Sequence, residues 1–244
     1  MNDKTNGMIP KLHDENYDKD TIMVLLNALY MKADWAHKFE GQDTYDREFT
    51  KADGSTVTVP FMNMFEAYES YIKTEDAEGI MLPYDDGRLA FIALKPGSGD
   101  ARGYAASLTG AKLKEALAAA KADTFVTVNM PKFDTEYSVY LTDALKAMGM
   151  TDAFDPFLAD LSGAGRGVDG PLYISYVFQR VKVDVNEEGT EAAAVTEIAT
   201  AKGCALPAEE PIVLTFDKPF VYAIVDTETG VPLFAGVMEN PEAK

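Results

Sequence analysis

Residues 186–200 read NEEGTEAAAVTEIAT, and this is the most unusual stretch of the chain. Its side chains are small or polar, apart from the larger aliphatic residues Val195 and Ile198. Because alanine is the strongest helix former, one interpretation is a surface helix. The other is an exposed linker, and the residues of this segment alone do not separate the two.

Strands are predicted on both sides of this segment. VKVDV (181–185) alternates in polarity before it, and three apolar runs close the chain at 212–216, 220–225 and 232–238. Further upstream, residues 46–64 alternate around an Asp53-Gly54 turn, which predicts a hairpin. Other strands are predicted at 67–72, 79–83, 88–94 and 125–133.

Helices are predicted at two places. Residues 105–122 are rich in helix formers and place Leu108, Leu113 and Leu117 on one face, which indicates a surface helix. Residues 138–148 are predicted to form a second helix that ends at Gly149.

Two further segments have ambiguous patterns. The run TIMVLLNALYMK (21–32) is nearly continuous in apolar residues, so it suits either a strand buried on both faces or a buried helix. Residues 161–170 contain four glycines and superficially suggest a phosphate-binding loop. No Lys-Ser or Lys-Thr pair follows, so a flexible connection is the preferred interpretation.

Composition excludes several functions. The 244 residues are 47% hydrophobic and 25% charged, typical of a folded protein, and 40 acidic against 22 basic residues give a net charge of -18. This charge repels nucleic-acid phosphates and anionic membranes, and no apolar run is long enough to span a bilayer. Cys204 is the single cysteine and His13 and His37 are the two histidines, so neither an intrachain disulfide nor a metal site is predicted. No cofactor is expected.

The chain resembles the serpin family in blocks that run from end to end. NEEGTEAAAVTEIAT is similar to the family's hinge, and FDKPFVYAIVDTETGVPLFAGVMENP (216–241) to its closing signature. Earlier similar blocks are NGMIPKL (6–12), LLNALYMKADWAHKF (25–39), FTKADGSTVTVPFMNM (49–64), MLPYDDG (81–87), NMPKFDTEYSVYLTDALKAMGMTDAF (129–154) and ADLSG (159–163).

This resemblance implies an α+β serpin fold, with several mainly antiparallel sheets and some helices. The family's first helices, two strands of its large sheet and one strand of a second sheet have no counterpart in the chain, so the fold is expected to be incomplete at its N-terminus. Residues 1–244 are predicted to be a single serpin domain, with a reactive loop at about 187–210.

The resemblance also implies a mechanism. A peptidase cleaves the loop as a substrate, and the freed arm then inserts into the large sheet as a new strand while the enzyme stays attached. An inserting strand must direct small alternate side chains inward, and Thr190, Ala192, Ala194 and Thr196 form such a set. The hinge is predicted to comprise Glu187, Glu188, Gly189, Thr190, Glu191, Ala192, Ala193 and Ala194.

Four other positions, together with the hinge residue Glu187, carry over from the resemblance. Trp35 resembles a tryptophan beneath the point of loop entry, although ordinary core packing also explains it. Asn27 resembles a buried asparagine where the sheet opens, and Gln179 stands where many serpins have its histidine partner. Glu187 and Lys132 resemble a charged pair that restrains premature entry.

The family's usual spacing from Gly189 places the cleaved bond between Gly203 and Cys204, with Ala201 and Lys202 as alternatives. Small residues here suit an elastase-like serine peptidase, whereas Lys202 suits a trypsin-like one, and the elastase-like target is preferred. The competing functions are a non-inhibitory carrier or chaperone-like protein, an inactive truncated fragment, and an enzyme, which the residue inventory does not support. An extracellular or cell-surface location and self-association through exposed sheet edges are further expectations.

Overall fold

A computed structural model describes residues 21–29, 31–165, 167, 170–190 and 210–242. The chain divides by its internal contacts into two compact units, one comprising Met1–Met31 with Thr135–Val183 and the other Lys32–Asp134 with Asp184–Lys244. Within the described ranges, no helix has the length and apolar character needed to cross a bilayer. The single-domain assignment stays a prediction.

The larger unit is built on an eight-stranded sheet. The strands are β3 (Tyr45–Thr50), β4 (Thr56–Lys73), β5 (Ala77–Pro83), β6 (Leu89–Pro96), β7 (Ala120–Pro131), β11 (Ile212–Thr215), β12 (Phe220–Asp226) and β13 (Pro232–Met238). Their order in the sheet is β11-β7-β4-β5-β6-β12-β13, with β3 beside β4, and β11 and β7 are parallel whereas the other pairs are antiparallel.

The strand predictions for this unit are confirmed. β3 and β4 form the predicted hairpin, and Gly54 adopts a φ of +82° in its turn, a conformation that glycine adopts without steric cost. The three closing runs are β11, β12 and β13. All seven residues of β12 are buried, and the strand lies between β6 and β13.

The predicted helix at 105–122 is wrong in its extent. Two short helices occupy the region, α1 (Ala101–Ser107) and α2 (Gly110–Ala118), and β7 begins at Ala120. The Thr109 hydroxyl accepts a hydrogen bond from the Lys112 amide and so caps α2, which starts a new helix where propensity alone predicts continuation. The predicted apolar face is confirmed. It packs into one cluster, which contains Leu108, Leu113 and Leu117 together with Ile92 and Val225.

The smaller unit contains a parallel strand pair. β1 (Val24–Leu29) lies beside β9 (Tyr176–Val185) from Val24↔Tyr176 to Leu29↔Val181, and β8 (Phe133–Tyr140) also pairs with β9. The ambiguous run at 21–32 is therefore a strand, but it is not buried on both faces, because Leu25 is 37% exposed. The second predicted helix is shorter than expected, α3 (Thr142–Ala147), since β8 extends through Tyr140.

Two very short strands complete the description. β10 (Gly189–Thr190) pairs antiparallel with β2 (Ala33–Asp34) on one side and with Val185, at the end of β9, on the other. The glycine-rich segment contains no helix or strand in its described residues 161–165, 167 and 170. That finding agrees with a connecting loop.

Candidate functional site at the loop hinge

Gly189 and Thr190 form a central strand only two residues long. Thr190 is 1% exposed and is bordered by Ala33 on one side and Val185 on the other. A Cβ atom added at Gly189 would lie 2.2 Å from the Ala33 carbonyl oxygen and 2.7 Å from the Asp34 Cα, so only glycine fits. The backbone therefore approaches β2 more closely at this point than any side chain would allow.

Two stacked aromatic side chains lie beside Thr190. Its hydroxyl shares a 2.6 Å hydrogen bond with the Tyr84 hydroxyl, and burial raises the pKa of Tyr84 so that this phenol stays protonated. The Tyr84 ring stacks on Trp35 with 4.8 Å between centroids and 9° between planes. Trp35 in turn donates from Nε1 to the Asn186 carbonyl at 2.9 Å. Every polar atom named in this chain of contacts therefore has a partner.

An ion pair holds the residues before the strand. Lys132 Nζ lies 2.7 Å from Glu187 Oε2, and the Thr44 hydroxyl donates to Glu187 Oε1 at 2.9 Å. Partial burial acts to raise the pKa of Glu187, but the hydrogen bonds from Lys132, the backbone and Thr44 outweigh it and lower the pKa. Lys38 Nζ likewise lies 2.7 Å from Glu188 Oε2. Ion pairs therefore hold both glutamate side chains in place.

The structure brings together six of the residues singled out from sequence: Trp35, Lys132, Glu187, Glu188, Gly189 and Thr190. Sequence reasoning missed Tyr84, Thr44 and Lys38. Tyr84 lies within the quoted block MLPYDDG, but only tertiary pairing places it against Trp35 and Thr190. Nothing in the sequence spacing indicates that contact.

The expected burial of Asn27 is wrong, and its role where the sheet opens stays a prediction. Asn27 is exposed rather than buried, because strand alternation places it on the same face of β1 as the partly exposed Leu25. Gln179 is its register partner on β9 and is half-buried, but these two described side chains make no hydrogen bond to each other.

The remaining predicted positions lie outside the described residues. They are the hinge residues Glu191, Ala192, Ala193 and Ala194, and the candidates for the cleaved bond, Ala201, Lys202, Gly203 and Cys204. Their assignment stays a prediction.

Comparison with known proteins identifies the family. The family model described as Serpin (serine protease inhibitor) matches residues 1–241. An uncharacterised serpin-like protein of Thermococcus kodakarensis is 33% identical over 242 residues, which cover 99% of this chain and 55% of that protein. Two crystal structures are also similar.

The thermophilic serpin tengpin in its native state has a TM-score of 0.85 at 34% identity, covering 98% of this chain and 60% of tengpin. Human thyroxine-binding globulin in complex with its hormone has a TM-score of 0.83 at 26% identity, covering 98% and 62%. The chain thus spans little more than half the length of its relatives, and the predicted α+β serpin fold, lacking some elements, is confirmed. The chain belongs to the serpin family.

Proposed function

We propose that this chain carries the hinge, sheet and reactive loop of a serine peptidase inhibitor that acts as a suicide substrate. The observation that supports this most directly is the pairing of Gly189 and Thr190 between β2 and β9. Inhibition by insertion requires the loop to enter the sheet as a strand, and these two residues occupy its first positions.

The register of β10 defines how such a strand would continue. Because Thr190 pairs antiparallel with Val185, Ala192 would pair with Val183 and Ala194 with Val181. Val181 now pairs with Leu29 of β1. Continued pairing on this register would therefore bring the small residues Ala192 and Ala194 opposite Val183 and Val181.

The energy of insertion is sufficient in magnitude. About a dozen new ladder residues, at roughly 0.5 to 1.5 kcal/mol net per hydrogen bond, give on the order of 10 kcal/mol. The stability of a whole domain is of similar size, about 5 to 15 kcal/mol, so insertion can distort an attached enzyme.

The covalent step is an acyl transfer. The peptidase serine Oγ attacks the carbonyl carbon of Gly203, the Gly203–Cys204 peptide bond breaks, and the new amine of Cys204 leaves with the proton that the enzyme's histidine returns. An ester between the serine Oγ and the Gly203 carbonyl then joins enzyme and inhibitor. The small residues around this bond support an elastase-like target.

A matched pair of variants tests the proposal. Ala192→Arg places a large charged side chain at a position predicted to face inward in the inserted strand, whereas Ala193→Arg places the same side chain at a position predicted to face outward. After incubation with an elastase-like and a trypsin-like peptidase, we expect the unchanged chain and Ala193→Arg to give a complex that survives denaturing electrophoresis. Ala192→Arg should be cleaved without forming one, as should Thr190→Arg. Equal complex formation by Ala192→Arg would contradict insertion.

The same incubation locates the cleaved bond. Cleavage after Gly203 releases a peptide that begins at Cys204, and cleavage after Lys202 one that begins at Gly203, so mass spectrometry of the released peptide distinguishes them. Cleavage without any complex, for every variant, would indicate that this portion of the fold serves only as a substrate. An extracellular location and self-association stay predictions.

A carrier function is the second candidate, because the larger unit contains an apolar cavity of about 520 Å³. Helix α2 and strands β6, β12 and β13 form its walls, and the lining includes Ile92, Leu94, Leu108, Leu113, Val221 and Val231. Human thyroxine-binding globulin, a structural neighbour, was crystallised with its hormone. Saturable binding of an apolar fluorescent dye that Ala235→Phe abolishes would support a carrier, and unchanged binding by that variant would contradict it.

A further inference from the structure

A second cavity in the larger unit lies away from the contacts of Thr190. Its volume is about 440 Å³, and it lies between the segment that follows Trp35 and an irregular part of β4. Its lining includes His37, Lys38, Asn63, Phe65, Tyr68 and Glu69. The cavity combines buried polar groups with exposed aromatic rings, a combination typical of ligand sites.

Two buried polar side chains line this cavity. Asn63 and Glu69 are each 4% exposed. The Asn63 amide nitrogen donates to the carbonyls of Asp43 and Phe61 at 2.6 and 2.9 Å, and Glu69 Oε1 lies 2.7 Å from His37 Nδ1. Asn63 Oδ1 and Glu69 Oε2 receive no hydrogen bond from any described residue. Two buried acceptors therefore lack a donor, which is costly unless a ligand or solvent supplies it.

A β-bulge exposes the two aromatic rings that line this cavity, Phe65 and Tyr68. Glu66 has a φ of +52° at the register shift between Met64 and Ala67, which lets both neighbouring aromatic residues project outward. Phe65 is 52% exposed and Tyr68 58% exposed. The Tyr68 ring packs against Phe125, with 5.3 Å between centroids, which holds its plane in position. These exposed rings offer faces on which a planar group can stack.

The charges around the cavity favour a cation. Glu40, Asp43 and Glu69 line it, against Lys38 and the ring of His37. The Lys38 ammonium is already paired with Asp34 at 3.3 Å and Glu188 at 2.7 Å, so it contributes little positive charge to the cavity. Burial raises the pKa of Glu69, although the hydrogen bond to His37 opposes this, and a bound cation would stabilise its charged form.

We propose that this cavity binds a guanidinium group. A guanidinium presents several N–H donors in one plane, which can satisfy the free carboxylate oxygen Glu69 Oε2, and its faces stack on aromatic rings. A carboxylate or phosphate would be repelled, and an apolar ligand would leave that oxygen without a donor. The group can belong to an arginine side chain of a partner protein or to a free small molecule. The proposal does not rest on loop insertion, although Lys38 contacts both the cavity and Glu188.

The test is a titration of the chain with N-acetyl-arginine methylamide, followed by NMR or calorimetry. Its citrulline counterpart has nearly the same shape without the charge and serves as the negative probe. We expect saturable binding of the arginine compound and none of citrulline. Glu69→Gln should weaken binding about tenfold or more, because it removes the charge from the hydrogen bond that the carboxylate makes to the guanidinium. Glu115→Gln, an exposed residue on α2, should bind normally.

A second variant and a second probe complete the design. Tyr68→Ala changes an exposed ring, so it should leave folding intact even if Glu69→Gln does not, and it should weaken binding about threefold or more. An inactivated trypsin-like peptidase with the active-site serine replaced by alanine tests a protein source of arginine. Binding of the small compound alone assigns a small-molecule site, and binding of the peptidase that Glu69→Gln abolishes assigns a protein contact. Equal binding of arginine and citrulline, or unchanged binding by Glu69→Gln and Tyr68→Ala, would overturn the proposal.

Discussion

Strands β12 and β10 occupy the same kind of position, since each is hydrogen-bonded to a strand on both sides and each is buried. β12 has seven residues, including Phe220, Tyr222 and Ile224, which make it part of a permanent core. β10 has two residues, a glycine and a threonine. Burial alone therefore does not distinguish the framework from the segment that we propose extends into it.

The side chains that each strand buries make the distinction. Large apolar residues fix β12, because removing any of them from its neighbours exposes much apolar surface. β10 buries one hydroxyl and one glycine, so it can be extended or withdrawn at smaller cost. Each strand is also adjacent to an ion pair, Arg88–Asp226 for β12 and Lys132–Glu187 for β10, both at 2.7 Å. Four predictions test this contrast.

The largest effect is expected at the centre of β12. Ile224→Ala should lower the free energy of unfolding by about 2 to 5 kcal/mol, because Ile224 is fully buried and its removal leaves a cavity. Chemical denaturation measures this. Leu233→Ala on the exposed face of β13 is the control and should cost less than about 1 kcal/mol. A similar loss in free energy of unfolding for Ile224→Ala and Leu233→Ala would contradict the assignment of β12 to a permanent core.

A smaller effect is expected at β10. Thr190→Val keeps the shape of the side chain but leaves the buried Tyr84 hydroxyl without its partner, so it should cost about 1 to 3 kcal/mol. Thr58→Val, at an exposed position of β4, makes the same chemical change and should be nearly neutral. If Thr190→Val and Thr58→Val change the free energy of unfolding equally, the Thr190–Tyr84 hydrogen bond does not stabilise β10.

The ion pair at the end of β12 should make stability depend on pH. Hydrogen bonds from the Thr229 backbone and Arg88, with the Thr229 hydroxyl, lower the pKa of Asp226 to about 2. A lowered pKa stabilises the folded state above the ordinary carboxyl range, and this contribution is lost as pH falls from about 4 towards 2. Asp226→Asn should therefore be less stable than the unchanged chain at neutral pH. Urea unfolding at neutral pH and near pH 2 should show that the difference in free energy of unfolding between Asp226→Asn and the unchanged chain narrows in acid. A difference that stays constant would refute the lowered pKa of Asp226.

The smallest effect on stability is expected at the ion pair beside β10. Glu187→Gln should cost no more than about 1 kcal/mol, because Lys132 is partly exposed. Because the pKa of Glu187 is lowered, the ion pair stabilises the folded state above the ordinary carboxyl range, and this stabilisation is lost in acid. Hydrogen exchange at the Trp35 amide, which donates to the Glu188 carbonyl, should nevertheless become faster. Glu188→Gln is the comparison variant, and a large loss of stability without faster exchange would argue against a restraining role.

The sequence predicts the strands of the larger unit well and its tertiary contacts poorly. Alternation and turn residues are local signals, so the hairpin and the closing strands follow from them. The break between α1 and α2 depends on one capping hydroxyl, which helix propensity does not include. For β1, apolar content does not reveal how many faces are covered, and Asn27 is therefore exposed against expectation. Tyr84 joins the hinge only through pairing across the sheet.

Trp35 is the single tryptophan of the chain. Its ring stacks on Tyr84, whose hydroxyl is hydrogen-bonded to Thr190 of β10. Its indole N–H is also bonded to the Asn186 carbonyl, three residues before Gly189. Indole fluorescence depends on the polarity and rigidity of its surroundings. We therefore expect Trp35 emission to report any lengthening or withdrawal of β10 without an added label.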